Sequence, residues 1–271
     1  MNARRSPTRL VLLGHPVSHS LSPVFQGAAL RASGIPLAYE ALDVAPEGLG
    51  AVLTTAAAQG WAGNVTIPHK RAVFLTCQRH TDVASQAGAV NTFWVQDGEF
   101  WGDNTDVAGF DAAARALGAR LVDSRVTLLG AGGAAAAVCV ATGRWPGATV
   151  QLIARRPDEA RRLASAFAHV THVTDLSTAL HGCTLLVNAT PIGLQDDVTP
   201  CEVADLAADT AVMDLVYRRG ETALVRNART RGLLACDGSE MLLRQGALAF
   251  ERWFGLVPSL DIMRAALQAA R

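Results

Sequence analysis

The stretch Asn64-Val-Thr-Ile-Pro-His-Lys70 presents one lysine at a turn, a cation able to donate a proton or to stabilise charge developing on oxygen. Val65 and Ile67 read as the end of a buried strand. Pro68 has no amide hydrogen for a central strand and suits the first turn of a helix. Lys70 is therefore expected in the first turn of a helix at the carboxyl end of a strand, where open α/β sheets bind ligands. The positive end of a helix dipole disfavours a lysine there on grounds of stability, which points to another task. The plainer alternative is an exposed helix-start lysine with no chemical role.

A second constellation is Gly130-x-Gly132-x-x-Ala135, with Gly133 as a further small residue. It follows the strand Val126-Thr-Leu-Leu129 and opens an alanine-rich helix, the setting in which such a pattern cradles a dinucleotide. The small residues allow a tight turn, close approach of a pyrophosphate and tight helix packing, so Gly130, Ala131, Gly132, Gly133 and Ala134 are candidate cofactor contacts. Packing alone is the alternative. About 20 residues on, where an NAD site carries Asp or Glu, stand Arg155 and Arg156. Guanidinium groups suit a 2′-phosphate and favour NADP over NAD. Otherwise they are a solvated face shared with Arg161 and Arg162.

The elements that must position these groups follow a βα rhythm. Strands are expected near 9–13, 37–42 and 61–65, with helices near 23–33 and 47–59. Ser22 and Pro23 read as the N-cap and first residue of the first helix. Strands at 90–95 and 99–102 flank Asp97-Gly98, a hairpin signal that makes this sheet mixed. A helix over 106–117 ends at Gly118. The glycine turn, a helix to about 143 and a strand at 149–153 follow. Weaker strands are expected near 170–173, 184–188, 211–215 and 233–236, then a helix over 239–254. The reading is α/β with two domains. Residues 1–105 and 239–271 form a mixed-sheet domain completed by C-terminal helices, and 106–238 a Rossmann-type NADP-binding domain.

Composition narrows the function classes. Lys plus Arg and Asp plus Glu number 24 each, so no basic excess exists to hold a nucleic acid. Five scattered cysteines without Cys-x-x-Cys argue against a disulfide framework or zinc site and suit a reducing compartment. Arg4, Arg5 and Arg9 before Leu10-Val-Leu-Leu13 resemble a signal peptide only superficially, since that apolar run is too short. No stretch approaches a membrane span. A cytoplasmic protein with a small-molecule substrate, as monomer or homodimer, is expected. No metal constellation stands out, and His169 and His172 are assigned to a loop or strand face.

Four motifs stand in order: Gly14-x-Pro-x-x-His-Ser20-x-Ser22-Pro23, Asn64-Val-Thr66-x-Pro-x-Lys70, Gly88-Ala-Val-Asn91-Thr92 and Gly102-Asp-Asn-Thr-Asp106. With Asn188-Ala-Thr190 and Met241-Leu-x-x-Gln245-Gly-Ala, they resemble the shikimate dehydrogenase family over essentially the whole chain. The resemblance implies an NADP-dependent, reversible reduction of 3-dehydroshikimate to shikimate in aromatic amino-acid biosynthesis. It implies that Ser20 and Ser22 hold the substrate carboxylate, with Tyr217 near it. Thr66, Lys70, Asn91, Asp106 and Gln245 would hold the ring hydroxyls and the reacting oxygen, Lys70 and Asp106 being the catalytic pair. Asn188, Ala189, Thr190, Gly238 and Met241 are carried over as cofactor contacts.

Residue chemistry agrees. Hydride arrival at a carbonyl builds negative charge on oxygen, which calls for a cation or proton donor. A carboxylate beside Lys70 favours the ammonium and burial the amine, so proton donation and charge stabilisation both stay open. The plainer readings are Ser22 and Asp106 as helix caps and Asn91 as a strand-end amide. The chain departs from the family pattern at Gln26 (usually His), Ala154-Arg155-Arg156 (commonly Asn-Arg-Thr), Leu194 (usually Met) and Ser239-Glu240 (commonly small residues). Rival readings are a quinate/shikimate dehydrogenase using NAD or both cofactors, a non-catalytic NADP-sensing protein on the same fold, and a methylene-folate dehydrogenase on the same two-domain plan.

Overall fold

The computed structural model describes residues 6–271; Arg4 and Arg5 of the superficial leader pattern lie outside the described residues. Two compact units form, one from the chain up to Asp106 with Leu242–Arg271, the other from Val107–Met241.

The first unit begins β1 (Leu10–Gly14), α1 (Ser22–Ala32), β2 (Tyr39–Asp43), α2 (Leu49–Gln59), β3 (Ala62–Val65) and α3 (Lys70–Thr76). It continues with β4 (Arg79–His80), α4 (Asp82–Ala87), β5 (Thr92–Gln96) and β6 (Glu99–Asp103). The strands lie in the order β2-β1-β3-β5-β6-β4. β1 pairs in parallel with β2 and β3, whereas β5 runs antiparallel to β3 and β6, so the sheet is mixed as its hairpin requires. Asp97 and Gly98 both have positive φ (53° and 78°), the conformation a two-residue hairpin turn of the favoured hand needs.

The period of two along β1 divides the core. Leu10 and Leu12 join Phe25, Leu30, Leu243, Phe250, Trp253 and Met263 on one face. Val11 and Leu13 join Leu49, Leu53, Val65, Val73 and Phe93 on the other. The first cluster draws on α1 and on α10 (Ser239–Phe254) and α11 (Leu260–Ala269), helices from the far end of the chain.

The second unit is entered through α5 (Asp106–Leu117) and holds β7 (Arg125–Leu129), α6 (Gly133–Thr142), β8 (Thr149–Ile153), α7 (Pro157–Ala164) and β9 (Val170–His172). Then come α8 (Leu176–Leu180), β10 (Leu185–Asn188), β11 (Ala211–Asp214), α9 (Ala223–Thr230) and β12 (Ala235–Cys236). All its pairings are parallel, in the order β12-β11-β10-β7-β8-β9. Counted from β7 as the first strand, this is the doubly wound order of dinucleotide-binding sheets. β10 and β11 are buried along their whole length, as strands covered on both faces must be.

Two local expectations need correction. Pro68 precedes α3 instead of entering its first turn: His69 occupies the cap position, and the Ile67–Pro68 peptide is cis. Leu21, not Ser22, caps α1, and no side chain accepts a capping hydrogen bond there. α11, one of the expected C-terminal helices, is capped by the Ser259 hydroxyl accepting from Ile262 N. β4 and α4 had no counterpart in the sequence reading, being only two and six residues long and so too short to show a period.

Candidate active site

Lys70 is the first residue of α3, just beyond the carboxyl end of β3, and no acidic residue stands in that first turn to offset it. Its ammonium instead reaches Asp106, the first residue of α5, with Nζ donating to Oδ2 at 2.5 Å. Both side chains are largely buried, at 16% and 8% exposure, so the pair is shielded from the water that makes surface ion pairs weak. Asn91 Nδ2 donates to the other carboxylate oxygen at 2.8 Å and lies 3.3 Å from Gln245 Oε1. Gln245 is fixed from its far side, Nε2 donating to Leu242 O at 2.8 Å. One hydrogen-bonded cluster therefore joins Lys70, Asn91, Asp106 and Gln245, from the start of α3, the residue before β5, the start of α5 and the middle of α10.

A network of polar side chains holds this cluster from behind. Asn64 accepts from the Tyr39 hydroxyl and donates to Asn91 O and Thr92 Oγ1. Thr105, which the sequence reading left unassigned, has its amide on Asn91 Oδ1 at 2.8 Å and its hydroxyl within 3.0 Å of Asn91 Nδ2. The signal lay in the motif Gly102-Asp-Asn-Thr-Asp106, where only the last residue was taken as functional. Asp103, also unassigned, is 2% exposed and accepts from Arg252 Nε at 2.8 Å, tying β6 to α10.

Other predicted residues fall outside the cluster. Ser20 and Ser22 meet each other, Ser22 N donating to Ser20 Oγ at 3.2 Å. Thr66 follows β3, its amide donating to Leu13 O and its methyl group lying where a side chain at Gly14 would go. Tyr217 is half-buried in the loop after β11.

In the second unit Gly130 directly follows β7 with φ +108°, and a Cβ there would come 2.8 Å from Ala189 O. Only glycine fits that turn. Gly132 is extended and faces open space before α6 begins at Gly133, leaving the first amides of a ten-residue helix at the carboxyl edge of the sheet. These features fit a dinucleotide. Arg156 pairs with Glu159 at 2.8 Å, whereas Arg155 is exposed and enters no ion pair among the described residues. Asn188 is fully buried, its Oδ1 accepting from the amide and hydroxyl of Thr190 at 3.0 and 2.6 Å, so it shapes the turn through Thr190. Gly238 is packed against Leu215, and Met241 is buried.

The five cysteines are free thiols, and burial pushes those of Cys77 and Cys139 up to about 12, so they stay protonated. Among the described residues no group of three or more His, Cys, Asp or Glu is arranged to hold a metal ion. His169 sits beside the end of α6, within hydrogen-bonding distance of Cys139 O and the Thr142 hydroxyl. Among the described residues no helix is long and apolar enough to cross a membrane.

A doubly wound parallel sheet with a glycine turn, joined to a mixed-sheet unit that carries a lysine–carboxylate–amide cluster, defines a two-domain α/β oxidoreductase. Residues 12–93 match the shikimate dehydrogenase substrate binding domain, and residues 238–268 match the shikimate 5′-dehydrogenase C-terminal domain. The chain belongs to the shikimate dehydrogenase family. It is 40% identical to the shikimate dehydrogenase (NADP(+)) of Symbiobacterium thermophilum, over all of this chain and 98% of that protein. Shikimate 5-dehydrogenase from Thermus thermophilus, solved in complex with NADP(H) and shikimate, superimposes with a TM-score of 0.89 at 38% identity, covering 97% of this chain and 99% of that one. Quinate dehydrogenase from Corynebacterium glutamicum, in complex with NAD, gives 0.88 at 29% identity, covering 98% and 100%.

Proposed function

We propose that this chain is an NADP-dependent shikimate dehydrogenase, interconverting 3-dehydroshikimate and shikimate, with Lys70 and Asp106 as its catalytic pair. The observation that carries the residue assignment is the buried 2.5 Å contact between Lys70 Nζ and Asp106 Oδ2, braced by Asn91. NADP(H) supplies or accepts the hydride. The Gly130–Ala134 turn would hold its pyrophosphate, and Arg155 its 2′-phosphate.

The chain's own residues manage the proton and the charge. In the reducing direction the carbonyl oxygen becomes an alkoxide that must gain a proton, and the Lys70 ammonium is the donor in the cluster. Asp106 keeps the ammonium aimed and offsets its charge, and Asn91 fixes Asp106. In the oxidising direction Lys70 takes the hydroxyl proton back. The amides of Asn91 and Gln245 and the hydroxyls of Ser20, Ser22 and Thr66 suit a small polyhydroxylated acid, with Tyr217 near its carboxylate. We divide the domains at 105 and 239, the outer part taking substrate and the inner part NADP. The cytoplasm is the proposed setting, with the protein a monomer or homodimer.

The test is absorbance at 340 nm with shikimate or quinate and NADP or NAD, for the wild type and Lys70→Ala. Shikimate with NADP should give the fastest reduction, and Lys70→Ala should lose about a hundredfold or more of it. Folded wild-type protein that turns over neither substrate with either cofactor would sink the assignment. Faster turnover of quinate with NAD would favour the quinate enzyme, for which the Arg156–Glu159 pair speaks because it leaves only one of the two adjacent arginines outside an ion pair.

A further inference from the structure

The carboxyl ends of β10 and β11 meet at a buried carboxyl group that has no assigned task. Asp214, the last residue of β11, is 1% exposed. Its Oδ1 accepts from Asn188 Nδ2 at 2.8 Å and from Val216 N at 3.1 Å. The first bond reaches the Asn188-Ala-Thr190 turn. The second sets the loop that leads to Tyr217. Asn188 Nδ2 also donates to Ile192 O at 3.2 Å, and Thr190 Oγ1 accepts from Ile192 N at 3.2 Å, so the whole segment is wound around Asn188. That segment abuts the glycine turn, since Ala189 O and Thr190 Cγ2 are the atoms that a Cβ on Gly130 would strike.

Burying a carboxyl group to hold two loops is costly unless both of its oxygens are satisfied. Asp214 Oδ2 is buried with no hydrogen-bond partner. The Thr222 hydroxyl lies close enough to favour the carboxylate, yet it does not meet hydrogen-bond geometry with Oδ2. Burial dominates and pushes the carboxyl above its usual range. A proton carried on Oδ2 leaves Oδ1 free to accept both of its bonds, so the bracket does not depend on the charge.

We propose that Asp214 is a positioning residue for nucleotide binding, acting through Asn188 to hold the Asn188-Ala-Thr190 turn against the glycine turn. The proposal rests on the NADP-dependent function argued above. In this role Asp214 acts through its bond to Asn188 and not by a contact of its own with the nucleotide.

Calorimetric titration of NADP, with thermal unfolding measured in parallel, tests it on four forms of the full chain. Asp214→Ala removes the acceptor and should weaken NADP binding about tenfold, the effect of one buried hydrogen-bonded link. Asp214→Asn retains an oxygen at Oδ1 and should bind within about threefold of the wild type. Leu224→Ala, in α9, removes packing from the buried apolar cluster it shares with Leu186, Val212 and Ala228 (Leu224 is 1% exposed) and leaves Asp214 and Asn188 in place, so it should lose stability but keep its NADP affinity. Should Asp214→Ala fail to fold, Asp214→Ser, whose shorter side chain draws the acceptor back, takes its place in the same comparison. Wild-type affinity in Asp214→Ala or Asp214→Ser overturns the proposal, as does an equal loss in Leu224→Ala. A wild type that binds no NADP overturns the functional reading itself, a separate result.

Discussion

Arg155 and Arg156 are adjacent and chemically alike, yet only the second is committed to a carboxylate, Glu159. Arg155→Ala should therefore raise the KM for NADP about tenfold or more with little change for NAD, the loss of a charge-assisted contact to phosphate. Arg156→Ala should change either KM by no more than about twofold, since an exposed ion pair contributes little. Steady-state kinetics with both cofactors checks this; equal losses would remove the distinction. Asp214 carries a pH signature of opposite sign to that of most paired carboxylates. Its carboxyl is raised by burial, with Asp237 nearby adding to the shift. The folded state thus holds a proton that the unfolded chain has released, and stability should fall as pH rises from the ordinary carboxylate range through the raised value. Chemical denaturation across that window should show the slope in the wild type and a flatter profile in Asp214→Asn. Lys70, Asn91, Asp106 and Gln245 were legible because their motifs stand in order along the chain. Thr105 and Asp103 were not, because a threonine or aspartate in a loop reads equally well as a local cap. The Arg156–Glu159 pair spans three residues at a helix start and was open to reading, but the expectation of a phosphate ligand drew both arginines to one purpose.

At the scale of elements, the contact that decides where Gln245 points is helix against helix. Gln26 of α1 is fully buried and donates from Nε2 to Gly246 O of α10 at 2.9 Å. A Cβ on Gly246 would strike the Phe25 ring and come 3.1 Å from Gln26 Nε2. Gly246→Ala should cost about 1–3 kcal/mol through overpacking. Because Gln245 is its neighbour, KM for shikimate should rise by a larger factor than KM for NADP; thermal unfolding and kinetics together would show both. Gln26, a departure from the family pattern, thus ties the first helix to the tenth. α5 and α10 were legible to the residue because long amphipathic segments end at glycine or begin at polar residues. β4 and α4 were not, since a two-residue strand and a six-residue helix are too short to show a period.

For the whole molecule, each six-stranded sheet lies within one compact unit, so each ligand should report on its own unit. NADP at a hundred times its Kd stabilises whatever binds it by about 2.7 kcal/mol. Hydrogen exchange should show that protection rising first in β7 and β10 with NADP, and in β3 and β5 with shikimate. Protection confined to one unit whichever ligand is added would contradict the division of labour. The two-unit plan was legible from the restart of the strand–glycine–helix pattern. Which strands would be neighbours was not, since order in a sheet depends on contacts distant in sequence.

The backbone passes from one unit to the other between Asp106 and Val107 and returns between Met241 and Leu242. The outgoing joint is therefore the carboxylate that holds Lys70, and the returning joint lies four residues before Gln245. The segment between them is a natural cassette. Exchanging it with the matching segment of an NAD-using relative would carry over the glycine turn, both arginines and Asp214 in one piece. The lysine, its carboxylate and both amides of the cluster would stay in the recipient, and Tyr217 alone among the proposed substrate residues would travel with the graft. On the proposed assignment, cofactor preference should follow the graft and substrate preference should stay with the recipient apart from any contribution of Tyr217, and two crossovers, one at each joint, would suffice to change the first.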